Sequence, residues 1–251
     1  MSTDHAYVIV PYRARGKETA RKEQLDNLTI HLRAFFADAS LEYTIIVVEQ
    51  DDDTGFNRGR LLNIGTIEAK NMFKAGERNI IIHWNVDVLA GKIDFRTFSP
   101  GLTNVCGWWD GSGSLCVMDI ENYYLANGFP NNLSGWGAED HALKNRCMYA
   151  NVPFHIYEHH NDPVFAAEIE NGNPFGEERA PGHWATNAKN SEIVRQDFLL
   201  GTWRTNGVSS CTYTVTSKQF DPSLHYYHIK AIWKIENGWN SSTGRINFTS
   251  V

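Results

Sequence analysis

The sequence lacks a paired cysteine motif, a long hydrophobic run and an excess of positive charge. Its four cysteines, at positions 106, 116, 147 and 211, form no CxxC pair, which argues against a thiolate zinc site and favours buried free thiols. The net charge of −6 argues against a nucleic-acid-binding protein that uses a broad cationic face.

No apolar stretch approaches the roughly 20 residues that a membrane-spanning helix needs. The first residues, MSTDHAYVIVPYR, also lack a basic leader followed by a long apolar segment. We therefore expect a soluble, cytoplasmic chain without a signal peptide or membrane anchor. The 251 residues, 42% of them hydrophobic, are typical of a globular protein, and we expect one domain over 1–251.

Strand and helix patterns alternate through the first hundred residues. Residues 6–12, 43–50 and 79–84 are apolar runs typical of buried strands. An amphipathic helix is predicted over 20–36, and a second helix after FNRG. This alternation predicts an α/β fold in which about 1–100 forms a Rossmann-like nucleotide-binding half with a mostly parallel sheet.

Beyond residue 100 the pattern is less regular. The glycine- and tryptophan-rich stretch GWWDGSGSL is followed by the loop NGFPNNLSGWGAED. A helix is predicted over 138–150, and short β-like runs are predicted at 153–158, 211–216 and 226–235. About 101–251 should continue the domain as a mixed half.

Polar segments leave the carboxyl ends of the three predicted strands, where an open α/β sheet binds ligands. Asp87, in NVDV, is placed to hold Mg²⁺ or Mn²⁺, although a lone aspartate at a strand end is more often a turn residue. Arg13, Arg15 and Arg58 would suit an anionic ligand such as a diphosphate. Judged singly, each arginine could equally face water.

The histidines of YEHHND are further candidate metal ligands. His159 and His160 precede Asp162, and an imidazole joined to a carboxylate can hold manganese or zinc with positions left open. A histidine pair without metal is the commoner case. His155 and His183 are competing candidates.

The loop GWGAED combines a large indole with two carboxylates. Trp136 lies between glycines as a flat apolar surface of the kind that suits a sugar. Glu139 and Asp140 open a predicted helix, where the helix dipole favours negative charge. The alternative is that one of them is a general base that takes a proton from a sugar hydroxyl.

Together these motifs resemble the β-1,4-galactosyltransferase family of inverting, metal-dependent enzymes with a GT-A fold. The resemblance rests on VIVPYRAR, FNRGRLLNIG, NVDV, NGFPNN with GWGAED, and NGVSSCTYTV, in that order over about residues 7–235. NGFPNN followed by GWGAED is its most specific part. The similarity implies a UDP-sugar donor and Mn²⁺, or Mg²⁺ in its place.

The resemblance also implies roles for individual residues. Asp140 would be the catalytic base, Glu139 would hold sugar hydroxyls, and Trp136 would close over the donor and contact the acceptor. Asp87 would ligate the metal with His160, or alternatively with His159. The implied donor site comprises Pro11, Arg13, Arg15, Phe56, Arg58, Asn85, Val86, Trp136 and Gly137.

Three departures from the family pattern bear on specificity. Asn85 replaces the first acid of the DxD motif, and Tyr157 stands at the methionine position of the metal-binding Met-x-x-His pair. His141 replaces the acid that often follows the base. GSGS at 111–114 replaces a stretch that shapes the donor-sugar pocket, which could admit an N-acetylhexosamine.

The sequence therefore predicts an inverting hexosyltransferase, a soluble bacterial or viral relative of the family. It would move a hexose or N-acetylhexosamine, with galactose favoured, from a UDP-sugar to a glycan or lipid-linked acceptor. A catalytically silent carbohydrate-binding homologue and a sugar-phosphate nucleotidylyltransferase are the alternatives. The latter would need a glycine-rich phosphate loop with a lysine, which PYRARGKE imitates only weakly.

Overall fold

The computed structural model describes residues 4–14, 19–107, 110–158, 166–168, 182–233, 239–240 and 245–246. Its main feature is an eight-stranded sheet in the order β7-β5-β6-β3-β1-β2-β10-β9. The helices are α1 Thr19–Ala39, α2 Arg58–Lys70, α3 Ile120–Leu125, α4 Glu139–Tyr149 and α5 His183–Leu200. The strands are β1 Asp4–Tyr12, β2 Glu42–Gln50, β3 Arg78–Trp84, β4 Val88–Ala90, β5 Leu102–Cys106, β6 Leu115–Asp119, β7 Phe154–Ile156, β8 Ala166–Glu168, β9 Thr214–Asp221, β10 Tyr226–Ile232, β11 Trp239–Asn240 and β12 Arg245–Ile246.

The three predicted strands of the first half lie at the centre of the sheet. β1 pairs in parallel with both β2 and β3, which confirms the predicted nucleotide-binding-type α/β arrangement. β10 adds a further parallel strand beside β2. β6 pairs antiparallel with both β3 and β5, so the sheet is mixed rather than mostly parallel on that side.

Alternate residues of β1 face opposite sides of the sheet, and each side is covered by a helix. Val8 and Val10 lie in the core beneath α1, whereas Ile9 lies in the core beneath α2. Gly65 brings α2 close to the sheet, since a Cβ at this position would overlap the side chain of Ile9. Both helices are thus held directly over the central strands.

The second half contains elements that the sequence patterns did not predict. They are β5, β6, β8, β11, β12, α3 and α5, and the predicted run at 211–216 overlaps only the start of β9. Cys106, Cys116 and Cys147 are buried free thiols, as expected. Within the described parts of the chain, no helix combines the length and apolarity needed to cross a bilayer.

Candidate active site

The carboxyl ends of β1, β2 and β3 place the predicted site segments at one edge of the sheet. β1 ends at Tyr12, β2 at Gln50 and β3 at Trp84, and the three strands run in the same direction. The segments that carry Arg13, Phe56 and Asn85 therefore leave the sheet side by side.

Arg58, the first residue of α2, connects three segments of the site. Its Nε donates to Oδ1 of Asn85 at 2.7 Å, its Nη1 to Oδ1 of Asp140 at 2.6 Å, and its Nη2 to the carbonyl oxygen of Gly113 at 2.9 Å. Its side chain is only 9% exposed. The structure thereby joins Asn85 and Asp140, residues that the sequence separates widely, through one guanidinium.

The two carboxylates at the start of α4 have different surroundings. Oδ1 of Asp140 also accepts from the Ser112 hydroxyl at 2.9 Å. Across the described residues no hydrogen bond is made to Oδ2 of Asp140, and 27% of this side chain is exposed. This leaves one carboxylate oxygen available to a substrate hydroxyl.

Glu139 lies deeper than its neighbour and is 3.6 Å from Arg58. Burial, together with the adjacent charge of Asp140, raises the pKa of Glu139 to about 7, although Arg58 opposes the change. Burial acts to lower the pKa of Arg58, but the two carboxylates outweigh it and the pKa is raised. The Arg58 guanidinium therefore stays charged, whereas Glu139 can hold a proton near neutral pH.

Asp87 lies two residues beyond Asn85, in the turn that leads from β3 to β4. Its Oδ2 is 2.8 Å from Nη1 of Arg21 in α1, and 15% of its side chain is exposed. Val86, between Asn85 and Asp87, is buried in the core beneath α1. Arg21 is a residue that the sequence patterns did not single out.

The chemistry of Asp87 fits a divalent cation, because carboxylate oxygens are the ligands that Mg²⁺ and Mn²⁺ take and this carboxylate lies in the turn after β3. In the described part of the chain, no group of three His, Cys, Asp or Glu side chains is arranged as a metal site. The predicted ligand His160 and its alternative His159 lie outside the described residues, as does Arg15. The metal site, including the role of Asp87, therefore stays a prediction.

Arg13 and Phe56 form a contact beside the end of β1. The Arg13 guanidinium lies 5.4 Å from the centre of the Phe56 ring, and its Nη1 donates to the carbonyl oxygen of Thr54 at 2.8 Å. Pro11, just before, is buried in β1. An aromatic ring with a fixed cation over it is a suitable surface for a nucleotide base or phosphate.

The NGFPNN motif holds the Trp136 loop to α2. The backbone NH of Phe129 donates to Oδ1 of Asn63 at 3.0 Å, and Nδ2 of Asn63 donates back to the Phe129 carbonyl oxygen at 2.8 Å. Nδ2 of Asn57 donates to the carbonyl oxygen of Asn131 at 2.8 Å. This motif therefore has a structural role: it fixes the segment that leads into the site.

The Trp136 loop packs against α5, the helix that the sequence did not predict. Nδ2 of Asn190 donates to the carbonyl oxygens of Ser134 and Gly137 at 3.2 and 3.0 Å. The half-buried Trp136 meets Trp184 edge to face, with ring centres 5.7 Å apart. Trp184 is 63% exposed, so two indoles form an aromatic surface at this side of the site.

A backbone hydrogen bond links this loop to the proposed nucleotide surface. The NH of Gly135 donates to the carbonyl oxygen of Phe56 at 2.8 Å. Gly137 has a φ of +100°, and a Cβ there would overlap the side chain of Asn187. The glycine is thus required both for the backbone conformation and for the close approach of α5.

Two cavities have linings that include none of Asp87, Glu139 and Asp140. One of about 370 Å³ is lined by Arg78, Asp119 and Glu121, and it lies where β3 begins, at the opposite end of that strand from Asn85. A second, of about 290 Å³, is lined by Tyr12, Glu49 and other side chains near the end of β1. Asp87 and Asp140 line neither cavity. The candidate site is therefore identified by the contacts among its side chains.

Comparison with known proteins identifies the family. The profile for the N-terminal region of glycosyl transferase group 7 matches residues 1–97, and the profile for the N-terminal domain of galactosyltransferase matches residues 105–168. The chain belongs to the β-1,4-galactosyltransferase family. This confirms the family that the sequence motifs indicated.

Individual members of the family are moderately similar to the chain. Human β-1,4-galactosyltransferase 4 is 28% identical over 230 residues, which cover 86% of this chain and 60% of the human protein. Mouse β-1,4-galactosyltransferase 1 is 31% identical over 153 residues, covering 57% of this chain and 36% of the mouse protein. The chain thus spans about 60% of the length of the first of these relatives.

The fold matches that of a solved β-1,4-galactosyltransferase. The catalytic domain of Drosophila β-1,4-galactosyltransferase 7, in complex with xylobiose, superposes with a TM-score of 0.69 at 18% identity, covering 93% of this chain and 96% of the other. A mutant of the Drosophila enzyme, in complex with manganese, UDP-Gal and xylobiose, gives the same TM-score at 17% identity. These matches confirm the predicted GT-A-like α/β fold.

Proposed function

We propose that the protein is an inverting glycosyltransferase that moves a hexose or N-acetylhexosamine, with galactose favoured, from a UDP-sugar to a hydroxyl of a glycan acceptor. The observation that carries this proposal is the contact of Arg58 with both Asn85 and Asp140. It joins the segment predicted to hold the donor to the carboxylate predicted to act as base. Family membership and the fold support the same assignment.

In this mechanism Asp140 takes the proton of the acceptor hydroxyl as its oxygen attacks the anomeric carbon of the donor sugar. Arg58 and Ser112 both donate to Oδ1 and fix the carboxylate, while the exposed part of the side chain can receive the acceptor. Glu139, whose pKa is about 7, can donate as well as accept a hydrogen bond to a sugar hydroxyl. This assigns different roles to the two adjacent acids.

The donor would lie along the strand ends, with its base beside Phe56 and Arg13 and its phosphates towards Asp87 and Arg15. Mn²⁺, or Mg²⁺ in its place, would be held by Asp87 and by His160 or His159. When bound, the ion would neutralise the diphosphate leaving group. The manganese, UDP-Gal and xylobiose present in the Drosophila complex support a metal, a UDP-sugar and a glycan acceptor for this chain.

The acceptor would contact Trp136 and Trp184, whose rings present apolar faces of the kind that stack on sugars. Closure of the Trp136 loop over the donor would exclude water from the reaction. The sheet takes strands from both halves of the chain, which supports a single catalytic domain over 1–251. A lipid-linked acceptor and a cytoplasmic location stay predictions from the sequence.

The test is UDP release and product formation with a panel of UDP-sugars and saccharide acceptors, with Mn²⁺ and after EDTA. Asp140→Asn should abolish transfer and leave UDP binding nearly intact, because the amide cannot take the proton. Asp38→Asn, at an exposed position of α1, is the control and should retain activity. Transfer by Asp140→Asn at the wild-type rate would remove Asp140 from its role.

A further inference from the structure

Arg21 and Asp87 form an ion pair at the position where the cation is expected. Nη1 of Arg21 donates to Oδ2 of Asp87 at 2.8 Å and lies 3.1 Å from Oε1 of Gln24. The Arg21 side chain is 34% exposed and that of Asp87 15%. The two residues are far apart in sequence, so the fold brings α1 over the turn after β3.

We propose that Arg21 occupies the place of the divalent cation at Asp87 and must be displaced when the cation binds. This inference rests on the proposed function, since it assumes that Asp87 is a metal ligand. A carboxylate oxygen that accepts a guanidinium NH at 2.8 Å cannot offer the same lone pair to a metal ion. The approaching cation would also repel the guanidinium.

The exchange makes Arg21 a positioning residue that sets the affinity for the cation. In the contact that the structure shows, Arg21 neutralises Asp87 and holds the carboxylate in one orientation. Cation binding then has to break a charge-assisted hydrogen bond, which weakens the measured affinity. The partly exposed Arg21 side chain leaves the guanidinium room to move away, with Gln24 already beside it.

Lys22 provides a matched control for the charge of Arg21. It lies in the same turn of α1, but its Nζ pairs with Asp26 at 2.7 Å, and both side chains are more than half exposed. Neutralising either residue removes one positive charge from the same part of the helix. Of these two changes, only the one at Arg21 removes the partner of Asp87. The comparison therefore separates the loss of a nearby positive charge from the loss of direct competition for the Asp87 carboxylate.

The experiment measures Mn²⁺ binding to the full chain by electron paramagnetic resonance, without nucleotide. Arg21→Gln should bind Mn²⁺ about tenfold more tightly than the wild type, corresponding to loss of one charge-assisted hydrogen bond. Lys22→Gln should stay within about twofold of the wild type, since its partner is Asp26. Asp87→Asn should remove the site in either background.

Equal or weaker Mn²⁺ binding by Arg21→Gln would overturn the inference, as would an equal gain in Lys22→Gln or binding that survives Asp87→Asn. UDP release by the wild type is assayed separately. Unchanged Mn²⁺ affinity in Arg21→Gln, with an active wild type, would refute the role of Arg21 and leave the proposed function standing. A wild type that transfers no sugar would refute the function itself.

Discussion

The buried position of Glu139 predicts that this residue makes the stability of the protein depend on pH. Its side chain is 11% exposed, and its pKa is raised to about 7 from 4.5, first by burial and then by Asp140. The folded state therefore binds this proton more tightly than the unfolded state. The resulting stabilisation is fully present below pH ~4.5 and is lost as the pH rises through about 7.

The magnitude follows from the two pKa values. A gap of about 2.5 pH units, at about 1.4 kcal/mol per unit, corresponds to about 3–4 kcal/mol as an upper limit for the stabilisation lost above pH 7. Glu139→Gln removes the ionisation but keeps a side chain of similar size. The free energy of unfolding of the wild type should therefore fall between pH 5 and pH 8, whereas that of the variant should not. We expect the difference between the two proteins to change by up to about 3 kcal/mol over this range, in favour of the variant.

The assay is urea denaturation of both proteins at several pH values between 5 and 8. Glu121→Gln is the control, because Glu121 is exposed at the start of α3 and should give a difference that does not vary with pH. A stability difference between Glu139→Gln and the wild type that stays constant from pH 5 to 8 would refute the reasoning. It would mean that Glu139 is ionised throughout this range in the folded protein.

Two further predictions concern the Trp136 loop and His141, the residue after Asp140. Gly137→Ala should lower the free energy of unfolding by about 1–3 kcal/mol and weaken donor binding, because the added Cβ would overlap Asn187. Gly76→Ala is the control, since Gly76 also has a positive φ but has open space where the Cβ would lie. It should lose only about 1 kcal/mol. Equal losses in urea denaturation would contradict the packing argument. Oδ2 of Asp110 lies 2.9 Å from Nε2 of His141, so His141→Asp would place a second carboxylate beside Asp110. This variant should raise the KM for the acceptor more than the KM for the donor. Equal changes in the two KM values would argue against a role in acceptor binding.

The strand-end part of the site could be predicted because it follows from local sequence. The apolar runs that form β1, β2 and β3 are continuous and closed by polar segments, so the positions of Arg13, Asn85 and Asp87 at one edge followed directly. The contacts among these residues did not follow. Arg21 reaches Asp87 only because α1 lies over the turn after β3, a placement that the periodicity of the helix does not specify.

Two elements of the second half were missed because some of their buried positions are polar. In β5, Asn104 is fully buried, and its Nδ2 donates to the carbonyl oxygen of Gly111. In α5, Asn190 and Asp197 are buried along with Val194. Hydrophobic periodicity cannot reveal a strand or helix whose inward face carries amides and carboxylates. These are also the elements that support the loops of the site.

The amide at Asn85 limits the number of charges around Arg58. This one guanidinium already lies 2.6 Å from Asp140 and 3.6 Å from Glu139. An acid at position 85, as in the family's DxD motif, would place a third carboxylate on the same cation in a largely buried site, where uncompensated charge is costly. Asn85 accepts the Nε hydrogen bond at 2.7 Å without adding charge, so the positive charge of Arg58 is shared only by the two acids of α4. The substitution therefore leaves the Arg58–Asp140 contact without a competing acid, and it leaves Asp87 as the single carboxylate of the NVDV turn.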